Sequence, residues 1–222
     1  MLDGESIRKI DRQVMNTRGE LLFARCVVLF EGETEEQSLP QFAENYWGRH
    51  PNDVGIAFVS VAGSGNYLPF LRLVSRFRIP WVIFSDGEPE AIQAVDTALE
   101  QAELTTSATN PNCVVLPNGN CFEEYLVTPD SLGSLQQMMA NFNIEVNKVT
   151  NDKGIKGIRQ SWESKSESEI LECLLANKTR YGARVAEAFS GIEDENKRLP
   201  ACIKNALDLA FAQNSDTGDK VD

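Results

Sequence analysis

Cys26-Val27-Val28-Leu29-Phe30-Glu31-Gly32-Glu33-Thr34-Glu35 is the stretch on which the fold of this chain turns. Its unbroken apolar run reads as a short strand buried on both faces, the kind a helix-covered parallel sheet contains. Acids follow it at once. The pattern returns at Trp81-Val82-Ile83-Phe84, which runs straight into Ser85-Asp86-Gly87-Glu88. In an open α/β sheet the carboxyl ends of the strands are the edge where ligands bind, so two strands delivering acids there mark that edge. The carboxylates of Glu31, Glu35, Asp86 and Glu88 would repel one another strongly unless a divalent cation lay among them. The arrangement predicts a metal site.

Around these two runs, apolar and amphipathic stretches alternate: strand 26–30, helix near 35–47, strand near 55–61, helix near 67–77, strand 81–84, helix near 89–102 and strand 113–116. Such alternation implies parallel βαβ crossovers and a small helix-flanked sheet. Before it, residues 6–24 carry Ile7, Ile10, Val14, Leu21 and Leu22 amid charges, the pattern of an amphipathic support helix. After Pro129 no strand pattern is clear, and helices are predicted near 132–142, 167–177, 179–190 and 200–212. The expected division is therefore a support helix over 1–24, an α/β unit over 25–129 and a helical subdomain over 130–222. Lys153-Gly154-Ile155-Lys156-Gly157-Ile158-Arg159 reads as a glycine-punctuated basic loop. Disorder is expected only in the last residues, from Asn214 to Asp222.

The first long helix has two expected starts, because Thr34 with Gln37 and Ser38 with Gln41 both have capping-box spacing and Pro40 suits a first turn. Either start leaves Glu35 near a helix N-terminus, which favours a carboxylate.

At 222 residues the chain can bury a real core. Its formal charge of −12 argues against nucleic-acid binding by the whole surface, so any such role requires a local basic patch. Five cysteines without a CxxC pair, among them Cys26, Cys113 and Cys202, suggest reduced core residues and no disulfide framework. There is no secretory leader pattern and no apolar stretch of membrane-spanning length, so the cytoplasm is the expected compartment and no membrane partner is expected.

Hard cations such as magnesium take oxygen ligands, and a pair of them can clamp the attacking and leaving oxygens of a phosphoryl displacement. That chemistry needs carboxylates and no histidine. The single histidine, His50, lies beside Pro51, which leaves little support for zinc or serine–histidine catalysis. Either acidic turn alone would read as a helix N-terminus or a polar loop; their coincidence on one sheet is the specific signal. Gly63-Ser64-Gly65-Asn66 follows the second strand, and its amides are candidates to support a phosphate. Glu123 and Glu124 read by themselves as a solvated helix start. Lys178, Arg180 and Arg184 share a helix with inward Val185, Ala186 and Phe189, and one of them is a candidate to stabilise phosphate charge.

These residues together resemble a known family. A strand ending in Glu31, a glycine-rich turn after the second strand and an acid-x-acid turn after the third resemble the Toprim domain of topoisomerases, primases and several nucleases. Arg18-Gly19-Glu20 with Phe23-Ala24, Val28 to Glu35, and Ser85-Asp86-Gly87-Glu88 resemble more particularly the carboxyl-terminal half of the OLD ("overcoming lysogenization defect") nucleases, over residues 18–126. Typical Toprim members carry Asp-x-Asp where this chain has Asp86-Gly87-Glu88.

The resemblance implies a Toprim-like fold and a bacterial or phage-related DNA endonuclease that uses magnesium or manganese, two ions per site. It implies Glu31, Glu35 and Glu123 as ligands on one side of the metal pair, Asp86 and Glu88 on the other, and Lys178 as an active-site lysine. It also implies an ATPase domain in the full-length protein, since no Walker A sequence occurs here, and leaves room for a homodimer and a helicase-like partner. Gly63, Ser64 and Gly65 are then expected near the substrate, with Lys148, Lys153, Lys156 and Arg159 as candidates for backbone-phosphate contacts. Two readings compete with the nuclease: a receiver domain phosphorylated on Asp86, and a catalytically silent Toprim-like scaffold.

Overall fold

The computed structural model describes residues 20–63 and 66–216. Helix α1 (Glu20–Phe23) precedes β1 (Cys26–Phe30), α2 (Glu33–Trp47), β2 (Ile56–Ser60), α3 (Tyr67–Phe77), β3 (Trp81–Ser85), α4 (Pro89–Gln101) and β4 (Cys113–Val115). The helical part follows as α5 (Phe122–Leu126), α6 (Pro129–Val146), α7 (Asp152–Glu163), α8 (Glu167–Ala176), α9 (Lys178–Ser190) and α10 (Ala201–Asp216).

The strands form a four-stranded, all-parallel sheet in the order β2-β1-β3-β4. In β1 successive side chains alternate between two separate apolar cores, as the pleat requires. Cys26, Val28 and Phe30 face a core built from α2, α6, α9 and α10, with Phe42, Met139, Val185, Phe189 and Leu207 among its members. Val27 and Leu29 face the other core, where α3 and α4 bring Phe70, Leu71, Val74, Val95 and Leu99. All five residues of β1 and of β3 are buried, as a parallel strand covered by helices on both faces must be. The predicted helix-flanked α/β sheet is the observed one.

The helical part shares the first core and packs directly on the sheet, with α10 against β1 and β3. Helix α9 runs along α2, where Phe42 and Phe189 meet edge to face at 5.5 Å between ring centroids. Truncating a ring in such a contact typically costs about 3–5 kcal/mol. The helices come close because Gly182 has no side chain: a Cβ there would lie 2.9 Å from Gln37 Oε1. Gln37 uses that oxygen to accept the Ala183 N–H at 2.9 Å.

Several local expectations are corrected. The segment 153–159 is no loop: it lies inside α7, which Asn151 caps by accepting the Gly154 N–H at 2.7 Å. Its apolar Ile155, Ile158 and Trp162 fall at helical spacing, and that signal outweighs the glycines. Neither capping box at the start of α2 forms; Gly32 is the N-cap, and Pro40 lies inside the helix. Thr34 and Ser38 spend their hydroxyls elsewhere, Ser38 on the Thr34 carbonyl at 2.7 Å. Asn214 lies in α10 and donates to the Val54 carbonyl at 2.7 Å. The expected helix over residues 6–24 is described only from residue 20, and Arg18 and Gly19 lie outside the described residues, as do 217–222. Among the described residues no helix is long and apolar enough to cross a membrane. All five cysteines are free thiols.

Candidate metal and phosphate site

β1 and β3 are neighbours with Leu29 opposite Ile83, and continuing that register sets Glu31 opposite Ser85, one residue before Asp86. Chain leaving β1 enters α2 on one face of the sheet, whereas chain leaving β3 enters α4 on the other. The crevice opened by that divergence is where an open α/β sheet holds its ligand. Glu31, Asp86 and Glu88 line it directly.

Glu35 arrives from the first turn of α2. A Cβ on Gly32 would fall on the Glu35 carboxylate, so the missing side chain there lets Glu35 fold back over its own helix start. Glu35 is only 4% exposed. Burial first, then the charges of Asp86 and Glu123, push its carboxyl up to about 8, with Lys178 pulling the other way. Asp86 is pushed up to about 7 by burial, then by Glu123, Glu88 and Glu31, again against Lys178. Burial and Glu88 raise Glu31 as well.

Glu123 comes from the helical side, in the first turn of α5, and is 1% exposed. Its Oε1 accepts from Thr34 Oγ1 at 2.5 Å and its Oε2 from Lys178 Nζ at 3.1 Å. Lys178 opens α9, so the packing of α9 on α2 sets the ammonium over the acids. Its own burial works against its charge, but Glu123 and Glu35 outweigh that and raise it.

The solvated-helix reading of Glu123 is therefore overturned, while that of Glu124 holds. Glu124 is exposed and caps its own helix, accepting the Cys121 N–H at 2.9 Å. Arg180 stacks instead on Phe142 and Tyr181, 5.0 and 5.7 Å from their ring centres, and Arg184 pairs with Glu145 at 2.7 Å. His50 is exposed and caps a turn through Nδ1.

Six residues named from sequence thus share one crevice: Glu31, Glu35, Asp86, Glu88, Glu123 and Lys178. Gly63 follows β2 in the turn after it, with φ 113°, while Ser64 and Gly65 lie outside the described residues. Lys153, Lys156 and Arg159 are not part of the crevice lining; they lie exposed on α7, which packs on α6, and Lys148 is exposed just before it. None of these four has an acidic partner among the described residues.

Tyr67 is the residue that sequence reading missed. It is the first residue of α3, fully buried, and its hydroxyl closes no hydrogen bond. Burial and the charges of Glu31, Glu35 and Asp86 push its phenol well above the ordinary value. Leaving such a hydroxyl buried and unpartnered costs about 1–3 kcal/mol. A tyrosine after a glycine-rich turn carries no recognisable site signal in sequence, so nothing flagged it.

The donor set suits a hard cation, since every ligand offered is a carboxylate oxygen. Asp86 Oδ1 is likewise buried without a hydrogen-bond partner. Among the described residues, no three acidic, histidine or cysteine side chains lie close enough to form a ready-made cage. The carboxylates therefore have to close further to hold an ion.

The fold and crevice define a Toprim-type α/β domain. Residues 22–87 match the family model "Overcoming lysogenization defect protein-like, TOPRIM domain". The chain is similar to the C-terminal region of the Xanthomonas campestris pv. campestris OLD protein, with TM-score 0.62 and 21% identity over 88% of this chain and 98% of that one. It is similar also to the C-terminal region of the Burkholderia pseudomallei OLD protein, with TM-score 0.57 and 20% identity over 86% and 99%. The uncharacterized protein YbjD of Escherichia coli K12 is 34% identical over 116 residues, 52% of this chain. The match spans only 21% of that relative's length.

Proposed function

We propose that this chain is the nuclease part of an OLD-type protein, cutting or nicking DNA phosphodiesters with magnesium or manganese, two ions per site. The observation that carries this reading is the buried, unpartnered Asp86 Oδ1 set among the charges of Glu123, Glu88 and Glu31. The OLD-like Toprim match supports it. Gathering these carboxylates, two of them buried, around the single ammonium of Lys178 is costly, and a pair of hard cations would remove that cost.

Bound ions would supply an activated water and charge stabilisation at the phosphate. Glu31, Glu35 and Glu123 would hold one part of the ion pair and Asp86 and Glu88 the other. Thr34 holds Glu123 in orientation by donating its hydroxyl to Oε1. Lys178 keeps its charge beside Glu123 and offers it to the phosphate as negative charge builds there. Gly63 with its turn, and the cations Lys148, Lys153, Lys156 and Arg159, hold the strand by its backbone rather than by base edges. An ATPase domain elsewhere in the full-length protein belongs to the same proposal, as does DNA as the partner.

A plasmid-nicking assay tests this directly. Magnesium or manganese should convert supercoiled plasmid to open circles, EDTA should abolish conversion, and Glu31→Ala or Asp86→Ala should reduce it to background. Undiminished cutting by both variants would falsify the nuclease assignment.

A further inference from the structure

Tyr67 stands at the meeting point of three facts. Its ring belongs to the core under the sheet, packed with Phe70, Leu71 and Val74 of its own helix. Its hydroxyl feels the charges of Glu31, Glu35 and Asp86 without a hydrogen bond to any of them, and its exposure is 0%. Ser85 sets its hydroxyl beside the phenol but donates to the Asp86 carbonyl at 3.1 Å, and no hydrogen bond of good geometry forms at the Tyr67 oxygen. A core that needed only the ring would be served as well by phenylalanine, which leaves no polar atom unsatisfied.

Two buried oxygens at this crevice are without partners, the Tyr67 hydroxyl and Asp86 Oδ1, and they are chemically complementary. One carries a proton to donate and the other accepts. We infer that Tyr67 is a positioning residue of the cation site: its hydroxyl donates to a carboxylate oxygen of the Glu31, Glu35 and Asp86 group and orients it toward the ion. The role is that of the outer partners which fix metal ligands in place and raise their basicity. It rests on the cation reading of the crevice and extends that reading to a residue from α3, an element the acidic turns do not involve.

Tyr67→Phe removes the hydroxyl and keeps the ring, so the core stays filled. Manganese binding to the full chain, measured by calorimetry, should weaken roughly 10- to 100-fold, the usual range for losing an outer partner of a metal ligand. The metal-free variant should melt at the same temperature as the unaltered protein or higher, because an unsatisfied hydroxyl has been removed. A merely structural hydroxyl gives the opposite pair of results: a lower melting temperature with manganese affinity unchanged. That outcome, or unchanged affinity alone, overturns the assignment of Tyr67 while leaving the cation site intact. If the unaltered chain binds no manganese, the cation reading fails and the inference fails with it.

Discussion

The mouth of the sheet and the exposed face of α7 both concentrate one sign of charge, and they do so at very different cost. At the mouth, Glu35 and Glu123 are almost wholly buried and several acids share one ammonium. On α7, Lys153, Lys156 and Arg159 are exposed and each is solvated separately. Like charges in water cost little because the solvent screens them, whereas buried ones raise one another's free energy steeply. Clustering that folding has to overcome calls for compensation, which under the proposed function cations would supply; clustering on a wet helix supports at most weak, salt-sensitive contacts.

Removing the cation of the mouth should break that contrast most severely. Lys178→Met is expected to lower cleavage roughly 100-fold or more, the scale for losing one group that stabilises developing charge. It should also lower the melting temperature, because Glu123 is left buried and unpaired. Single-turnover cleavage and a thermal melt check both.

The contrast is sharpened by pH. In the metal-free protein Glu35 and Asp86 hold their protons up to about 8 and about 7, against ordinary values of 4.5 and 3.8. The folded state then binds protons more tightly than the unfolded one, so this contribution is full below about pH 4 and is lost as pH rises through 7 to 8. Stability should fall on the order of 3 kcal/mol across that window, and magnesium or manganese added at pH 8 should restore it. Denaturant titrations at several pH values, with and without ion, measure this; a stability that rises with pH in the absence of ion sinks it.

On the wet helix, Lys156→Ala with Arg159→Ala should weaken DNA binding about 10-fold at low salt and flatten the salt dependence by about two phosphate contacts, with the melting temperature nearly unchanged. A binding isotherm at several salt concentrations reads it. The smallest effect belongs to Glu124→Ala. Losing the cap on α5 should cost about 1 kcal/mol of stability with cleavage kept, in contrast to its buried neighbour Glu123.

Much of this arrangement was legible beforehand. Short apolar runs ending in acids specify buried parallel strands and the edge on which their side chains emerge, because a strand covered on both faces admits no polar residue until it ends. That placed Glu31, Asp86 and Glu88. Glu123 was harder: read locally, Glu123-Glu124 is a helix start, and the pair differs only in which residue the turn of α5 points inward. The basic segment of α7 was misread because two glycines outweighed Ile155, Ile158 and Trp162, whose spacing becomes decisive once α6 offers a surface to pack on.

The sequence alone determined the alternation of strand and helix, the two acidic strand ends and their oxygen-only chemistry, since those follow from local pattern and side-chain type. Tertiary structure decided what depends on contacts between residues far apart in the chain: that α9 approaches α2 closely enough, through Gly182, to seat Lys178 on Glu123, that Thr34 holds that carboxylate rather than capping its helix, and that the Tyr67 hydroxyl is buried at 0% exposure. Burial and mutual distance set those energies, and neither is a property of any single stretch of chain.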